Sequence, residues 1–345
     1  MYQMSAVQSY EVSVQFSDGD IAVFPVTSNE TILEGALKAD VPILNQCQSG
    51  SCGSCVAVLE DGEATPLATQ AGCLLDSELA EGRRLLCSAR ASSDCSFQVD
   101  YTTSAGAATP AAANVFIDEI AWLSSDVVRL GVELAEGDWA DFSPGQYMRI
   151  NIPNTEIYRS YSMSSSPEQL PKLEFLVRVI PDGLFSEFLS TKARVDDILK
   201  FEGPYGSFFW RENFRRSKHL LIAGGTGLAP ILSILDQIRA APGKKPDITL
   251  SFGCASDKTF FGADILDLRK AWMPTLETRL TVDDAGESWS GLIGNPLQAI
   301  STDDMESDAV AYVCGPPGLV NSSKKVLSDF GMSESRIFAE RFLPE

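Results

Sequence analysis

Cys47, Cys52 and Cys55 stand in the spacing C-x4-C-x2-C, and Cys87 follows inside the apolar phrase Leu85-Leu86-Cys87. Four thiolates so spaced can hold two irons bridged by two sulfides, a [2Fe–2S] unit, with three ligands on one wrapping loop and the fourth arriving from elsewhere. Gly50, Ser51, Gly53 and Ser54 supply the small residues and free amides that such a wrap needs. A zinc site would show paired C-x2-C knuckles, and a disulfide framework would need an exported chain. Three further cysteines read as packing residues. Cys95 alternates with Phe97 and Val99, Cys73 sits beside Leu74 and Leu75, and Cys254 ends an apolar run.

A second set of residues points to nucleotides. Gly224-Gly225-Thr226-Gly227-Leu228-Ala229-Pro230 follows the apolar run from Leu220 to Ala223 and precedes a helical stretch. Glycines there let phosphates approach backbone amides and a helix N-terminus. The pattern is not G-x-G-x-x-G, and on its own a plain strand-to-helix turn would read the same way. Cys314-Gly315-Pro316-Pro317 ends another strand, which a parallel sheet brings to the same carboxyl edge. Upstream, Arg159-Ser160-Tyr161-Ser162 ends an inferred strand, and Gly183-Leu184-Phe185-Ser186 opens a helical stretch suited to a pyrophosphate. Gly203 to Phe208 reads as a tight turn. Asp257, beyond the strand predicted over 248–253, can accept from ribose hydroxyls and repel a 2′-phosphate, which favours NADH over NADPH. The single histidine, His219, supplies no metal triad and reads as a strand-edge residue.

Positioning these groups takes more than one core. At roughly 150 residues per domain, the 345-residue chain predicts two or three domains. Val12, Val14 and Phe16 alternate, a Ser17-Asp18-Gly19-Asp20 turn follows, and the strand resumes at Ile21. A helix is predicted over 28–41 behind a Ser/Asn cap, and the cysteine loop comes next. The uncharged, alanine-rich stretch around Tyr101 to Asn114 reads as a linker. Short strands at even spacing from Val115 to Ile180 predict an antiparallel β-barrel. The strand–turn–helix alternation from His219 onward predicts a parallel α/β sheet. The expected division is 1–103, a linker at 104–113, then 114–215 and 216–345.

Charge and composition narrow the function classes. The net charge of −20 excludes a nucleic-acid binder, since phosphates would be repelled. Residues 1–105 hold 14 acidic and 4 basic side chains and so carry half of that charge. No basic-then-apolar leader opens the chain and no apolar run is long enough to cross a membrane, so a soluble cytoplasmic monomer is expected.

Over nearly its whole length the sequence resembles the reductase components of bacterial ring-hydroxylating dioxygenases, of the benzoate and anthranilate type. The motifs that carry the resemblance are the cysteine spacing, Arg159-Ser160-Tyr161-Ser162, Gly224 to Gly227 and Cys314 to Pro317. It implies a plant-type β-grasp [2Fe–2S] ferredoxin domain, then FAD-barrel and NAD domains of the ferredoxin–NADP reductase superfamily. It further implies that Arg159 holds the FAD pyrophosphate, Tyr161 lies against the isoalloxazine and Ser162 bonds near N5. Gly225, Thr226 and Gly227 would line the nucleotide path, and Cys314 would flank the nicotinamide. Glu340 and Phe342 have the spacing of an acid and a flavin-shielding aromatic, although here the aromatic is Phe and three residues follow it. A nicotinamide gives up two electrons as hydride and a [2Fe–2S] cluster takes one, so a flavin between them is the transformer. The chain is therefore expected to pass electrons from NADH through FAD and the cluster to a terminal oxygenase. The same plan also serves diiron hydroxylases and deoxysugar dehydrases. A redox adaptor without catalysis is a third reading, which the intact motifs oppose.

Overall fold

The computed structural model describes residues 7–50, 52–67, 73–74, 76–107, 110–138, 140–306 and 308–342. It divides into two compact units, 1–108 and 109–345.

In the first unit the expected hairpin is β1 (Ser9–Gln15) and β2 (Ile21–Thr27), whose inward residues Val12, Val14, Phe24 and Val26 are fully buried. Helix α1 (Ile32–Lys38) is shorter than the sequence predicts, and its cap is Thr31 rather than Ser28 or Asn29. Thr31 and Glu34 form a capping box, each side chain accepting the other's backbone N–H, so two otherwise unpaired donors are satisfied where the helix starts. Ile32, Leu33 and Ala36 then face the sheet. The unit continues with β3 (Val56–Asp61), β4 (Ala64–Pro66), α2 (Asp76–Ala80), β5 (Arg83–Leu85), β6 (Ala89–Ala91) and β7 (Cys95–Gln98). The main sheet has the order β2-β1-β7-β3-β5, with β1 and β7 parallel. Part of the segment that reads as a linker is ordered. Thr103–Ala107 forms a short helix, α3, whose first N–H and hydroxyl donate to Asp18 in the β1–β2 turn. Pairing with a turn 85 residues away in the chain holds that helical turn in place, a tertiary contact that alanine-rich composition does not reveal.

The second unit begins with the antiparallel strands β8 (Ala111–Trp122), β9 (Val127–Leu134), β10 (Tyr147–Asn151), β11 (Tyr158–Ser162) and β12 (Lys172–Arg178). Helix α4 (Leu184–Glu187) and β13 (Ile198–Tyr205) follow. The strand order β11-β10-β13-β8-β9-β12 nearly closes, because Met163 pairs with Phe175 across the gap between the first and last strands. This is the expected barrel, filled by residues such as Ile117, Val132, Ile150 and Phe201. The strand β13 runs through Gly203 and Pro204 to Tyr205, so the turn predicted from Gly203 starts later than the sequence suggests.

A six-stranded parallel sheet completes the unit. Its elements are β14 (His219–Gly224), α5 (Leu228–Ala240), β15 (Ile248–Ser256), α6 (Ala263–Trp272), β16 (Leu276–Asp284), β17 (Leu292–Ile293), β18 (Val310–Gly315), α7 (Pro317–Asp329) and β19 (Ile337–Arg341), ordered β17-β16-β15-β14-β18-β19. Helix α5 lays Leu228, Ile231, Leu232, Leu235 and Ile238 into the core at helical spacing. Each such burial contributes about 1.5–3 kcal/mol, which fixes the turn that precedes the helix. His219 is not a strand-edge residue but wholly buried. Its Nε2 accepts from Trp210 Nε1, its Nδ1 pairs with the Ser217 carbonyl and its ring stacks on Tyr312. Burial pushes its pKa down to about 4, so it is neutral.

Candidate functional site

In the first unit residues 40–50 and 52–55 wrap as a loop between α1 and β3. Gly50 and Gly53 have φ of +82° and +78°, a backbone region that favours glycine and lets the loop fold back on itself. The backbone amides of Ser49 and Cys52 both point at Cys47 Sγ, at 3.4 Å. Cys87 arrives on the single turn Leu86–Ser88 between β5 and β6, and the Leu86 amide donates to the Cys55 carbonyl. Cys55 donates its thiol proton to Cys87, which holds Cys87 below the usual thiol range and Cys55 above it. None of the four is in a disulfide, and the sulfurs contact in two pairs, Cys47 with Cys52 and Cys55 with Cys87.

That donor set fits a two-iron cluster: four thiols, two for each iron, with amide hydrogens aimed at sulfur. Among the described residues no three metal-ligating side chains gather closely enough to hold a single ion. Cys95 is a buried core residue whose thiol is occupied by the Glu63 and Ser93 carbonyls. Cys73 is half-buried, and its amide donates to Gly50 O in the cysteine loop. A methyl group on Gly53 would lie 3.3 Å from Cys73 Sγ, so Cys73 backs the loop, a closeness its apolar neighbours in sequence do not reveal.

In the second unit the barrel and the parallel sheet meet at the carboxyl ends of β14 and β18. Strand β11 carries Arg159 and Tyr161 on its inner side, opposite Ile150 and Met148, while Ser160 and Ser162 alternate to the other side. Tyr161 packs on Phe185 at 5.3 Å between ring centres. Phe185 is itself buried in the barrel core, so its side chain supports Tyr161. Gly183 caps α4, and the Ser186 hydroxyl accepts from the Ile180 amide, closing the loop in front of that helix.

Ser162 Oγ donates to Glu340 Oε2 at 3.1 Å. Glu340 is brought there by β19, whose register pairs it with Cys314. Burial pushes its carboxyl up to about 8, against the opposing hydrogen bond from Ser162. A methyl group on Gly206 would meet the Tyr147 ring at 2.9 Å and Glu340 Oε1 at 3.4 Å, so that glycine is needed for β13 to pass so near the acid. Gln146, which sequence reasoning missed, pins the passage by donating to the Gly206 carbonyl. Phe342 is partly buried against the core of the sheet, its amide donating to Gly315 O.

Gly224 ends β14, and Gly225–Gly227 makes a single tight turn into α5. A methyl group on Gly227 would lie 2.4 Å from the Cys314 carbonyl, so the two strand ends are in backbone contact there. Gly225 has φ +56° and nothing within 4 Å of the position of a side chain, an open cradle beside backbone amides. This fits a nucleotide phosphate. The Cys314 side chain is fully buried, its thiol pushed well up by that burial. Cys254 is not merely packing: its thiol contacts the backbone of Gly225 and Phe261, and burial pushes it up to about 12. Asp257 is half-buried, its amide on Asp284 O, and its carboxylate occupies the space a side chain at Gly286 would need.

Comparison with known proteins agrees with this layout. Residues 15–92 match the 2Fe-2S iron-sulfur cluster binding domain, 114–210 the oxidoreductase FAD-binding domain and 221–325 the oxidoreductase NAD-binding domain. The 2-halobenzoate 1,2-dioxygenase electron transfer component of Burkholderia cepacia is 32% identical over 97% of this chain and 98% of its own length. The anthranilate 1,2-dioxygenase electron transfer component of Acinetobacter baylyi is 28% identical over the same shares. Among solved structures, the Amycolatopsis cytochrome P450 reductase GcoB superposes with a TM-score of 0.70 at 25% identity, over 96% of this chain and 99% of that one. Fold and site thus define an iron–sulfur flavoprotein oxidoreductase that uses NADH, FAD and a [2Fe–2S] cluster. The chain belongs to the family of the dioxygenase electron transfer components.

Proposed function

We propose that this reductase takes hydride from NADH at the Ser162–Glu340 edge of the barrel and delivers single electrons through the Cys47/Cys52/Cys55/Cys87 centre to a terminal ring-hydroxylating oxygenase. The observation that carries this is the convergence of Ser162, Glu340, the open Gly225 cradle and the Cys314 strand end at one sheet edge. Bound FAD supplies the two-electron to one-electron conversion between nicotinamide and cluster.

The chain's own residues divide the remaining work. Arg159, Ser160, Gly183 and Ser186 hold the FAD phosphates, Tyr161 supports the ring system with Phe185 behind it, and Phe342 shields it. The Ser162 hydroxyl and the Glu340 carboxyl lie together next to the flavin edge, with Ser162 donating to Glu340. At neutral pH Glu340 also holds a proton of its own, because its pKa near 8 keeps it a neutral donor. Gly224, Gly225, Thr226 and Gly227 receive the NADH phosphates, Cys314, Gly315 and Pro316 form the floor under the nicotinamide, and Asp257 accepts from the ribose. Cys47, Cys52, Cys55 and Cys87 would supply the four thiolates that hold the two irons. The domain limits 1–103, 114–215 and 216–345 are retained in this reading, as is a cytoplasmic monomer that the −20 charge keeps from nucleic acid. Among the described residues, no helix is long and apolar enough to cross a membrane.

Anaerobic stopped-flow mixing with NADH tests the order of transfer. Flavin absorption should bleach first and the cluster second, and purified oxygenase components should then be ranked by rate of reduction. A cluster that stays oxidised beside a reduced flavin would sink the reading. A diiron hydroxylase is the second acceptor class, favoured by 34% identity over 80% of this chain to methane monooxygenase component C of Methylosinus trichosporium. A deoxysugar dehydrase is the third, favoured by 26% identity to the CDP-6-deoxy-L-threo-D-glycero-4-hexulose-3-dehydrase reductase of Yersinia pestis. The same ranking separates the three.

A further inference from the structure

The segment that leaves the first unit, residues 101–107, is seated on that unit at three places. Tyr101 is 2% exposed, its ring set edge-on against Phe16, its carbonyl accepting from the Ser17 amide and its hydroxyl from the Leu44 amide at 3.0 Å. The Thr103 amide and hydroxyl both donate to Asp18 at 2.9 Å, and the hydroxyl also reaches Asp20 at 3.1 Å. Gly106 lies so close to Pro42 that a methyl group on it would overlap the Pro42 carbonyl oxygen.

These contacts, rather than any propensity of its own, hold α3 in place. It spans five residues and buries none of them fully, and a helix so short does not persist in water unaided. Such an element stands at the low-stability end of a fold, where the loss of one contact releases it. While α3 is seated, the connection to β8 is residues 108–110, and Ala107 and Ala111 lie at most about 14 Å apart. Released back to the buried Tyr101, the same connection reaches about 36 Å.

That length bears on the chemistry, because a [2Fe–2S] cluster takes one electron where a flavin holds two. Each step moves one electron from the reduced flavin to the oxidised cluster, which hands it to the acceptor before the next. Two steps return the flavin to its oxidised form and release to solvent the proton that came with the hydride. The first unit must therefore meet the flavin twice for every NADH, and the length of a covalent connection sets how often such a meeting recurs. We propose that residues 101–107 are a clasp: seated on Asp18, Pro42 and Leu44, they keep the connection short and so speed electron transfer from flavin to cluster. The inference rests on the order of transfer proposed above.

Anaerobic stopped-flow mixing of the full-length holoprotein with NADH tests it on the parent, on G106A, and on the parent with a six-residue Gly/Ser spacer inserted before Pro110. G106A should unseat α3, read as new protease cleavage within residues 102–107. The spacer should lengthen the connection while α3 stays seated and protected. In both variants flavin reduction should keep the parent's rate, and cluster reduction should slow roughly fourfold, the −3/2-power expectation for that change in length. An unchanged rate of cluster reduction in the spacer variant, or in G106A once it is cleavable, would overturn the clasp. So would a G106A chain that stays as protected as the parent. If G106A loses its cluster, the spacer variant decides alone. A parent whose cluster stays oxidised beside reduced flavin would instead refute the order of transfer.

Discussion

Glu340 and His219 show how burial alone sets protonation in opposite senses. A carboxyl raised to about 8 holds a proton through neutrality, and an imidazole lowered to about 4 gives one up. The folded state therefore binds more protons than the unfolded one at Glu340 between pH 4.5 and 8, so that side chain lowers stability as pH rises through the window. At His219 the folded state binds fewer, and its contribution is lost as pH falls from 6.5 toward 4. In E340Q, flavin reduction by NADH should slow about a hundredfold and lose its inflection near pH 8, as read by stopped flow across a pH series. The hydroxyl variant S162A, which keeps the acid, should shift that inflection upward, since donation from Ser162 holds the acid lower than burial alone would. At the cluster, serine at Cys47, Cys52, Cys55 or Cys87 should remove iron and visible absorption, while C95S and C73S should retain both. Iron loss in C95S with retention in C87S would reverse the ligand assignment.

At the scale of elements, the acid depends on a clamp between β19 and the segment after β13. The Arg211 guanidinium sits between the rings of Phe209 and Phe338, at 3.8 and 4.8 Å, and donates to the carbonyls of Ser207 and Phe209. Its amide donates to Tyr312 Oη on β18. Phe338 lies two residues before Glu340 and Ser207 follows Gly206, so one buried arginine ties together both segments that flank the acid. R211M should leave NADH binding nearly unchanged while lowering the rate of flavin reduction and moving its pH inflection, with R211K restoring part of both. An unmoved inflection would leave Arg211 with packing alone.

The clamp is not legible in the sequence, where Arg211 directly follows Phe208-Phe209-Trp210 and nothing local says that its partners are Phe338 and Tyr312, more than a hundred residues on. The cysteine spacing, the glycine turn and the strand alternation are legible because each is a local rule of chemistry or backbone. Helix α6 and strand β16 were not, because α6 is amphipathic over only ten residues and β16 is largely polar along its length; the capping box Thr31-x-x-Glu34 is written in the sequence, but Ser28 and Asn29 just before it compete for the cap. The proximity of Cys73 to Gly53, and of Cys254 to Gly225, is set by tertiary packing between segments far apart in the chain.

For the whole molecule, the asymmetry of charge matters most. The first unit holds half of the net −20, so its field should steer it toward a basic surface on the acceptor. Glu60, Asp61 and Glu63 are exposed, as that role requires, but they lie at the far end of β3 from Cys55, roughly 15–20 Å away at 3.3 Å per residue. They can act through the field and not by touching an acceptor seated over the cysteine loop. Raising salt from 0.05 to 0.5 M should therefore slow electron delivery to the acceptor about tenfold or more and leave flavin reduction nearly constant. Reversing these three charges should lower the encounter rate and spare the rate within the complex. A steady-state preference for NADPH over NADH would separately count against the role of Asp257. The burial of His219 has one more consequence, and it is calorimetric. The sequence holds no other histidine, so no imidazole remains to titrate near neutrality. Ionising a carboxyl absorbs little heat, whereas ionising an imidazole absorbs much. The pH inflection of hydride transfer should accordingly stay almost fixed as the assay is warmed, a thermal signature that identifies the titrating group without a single substitution.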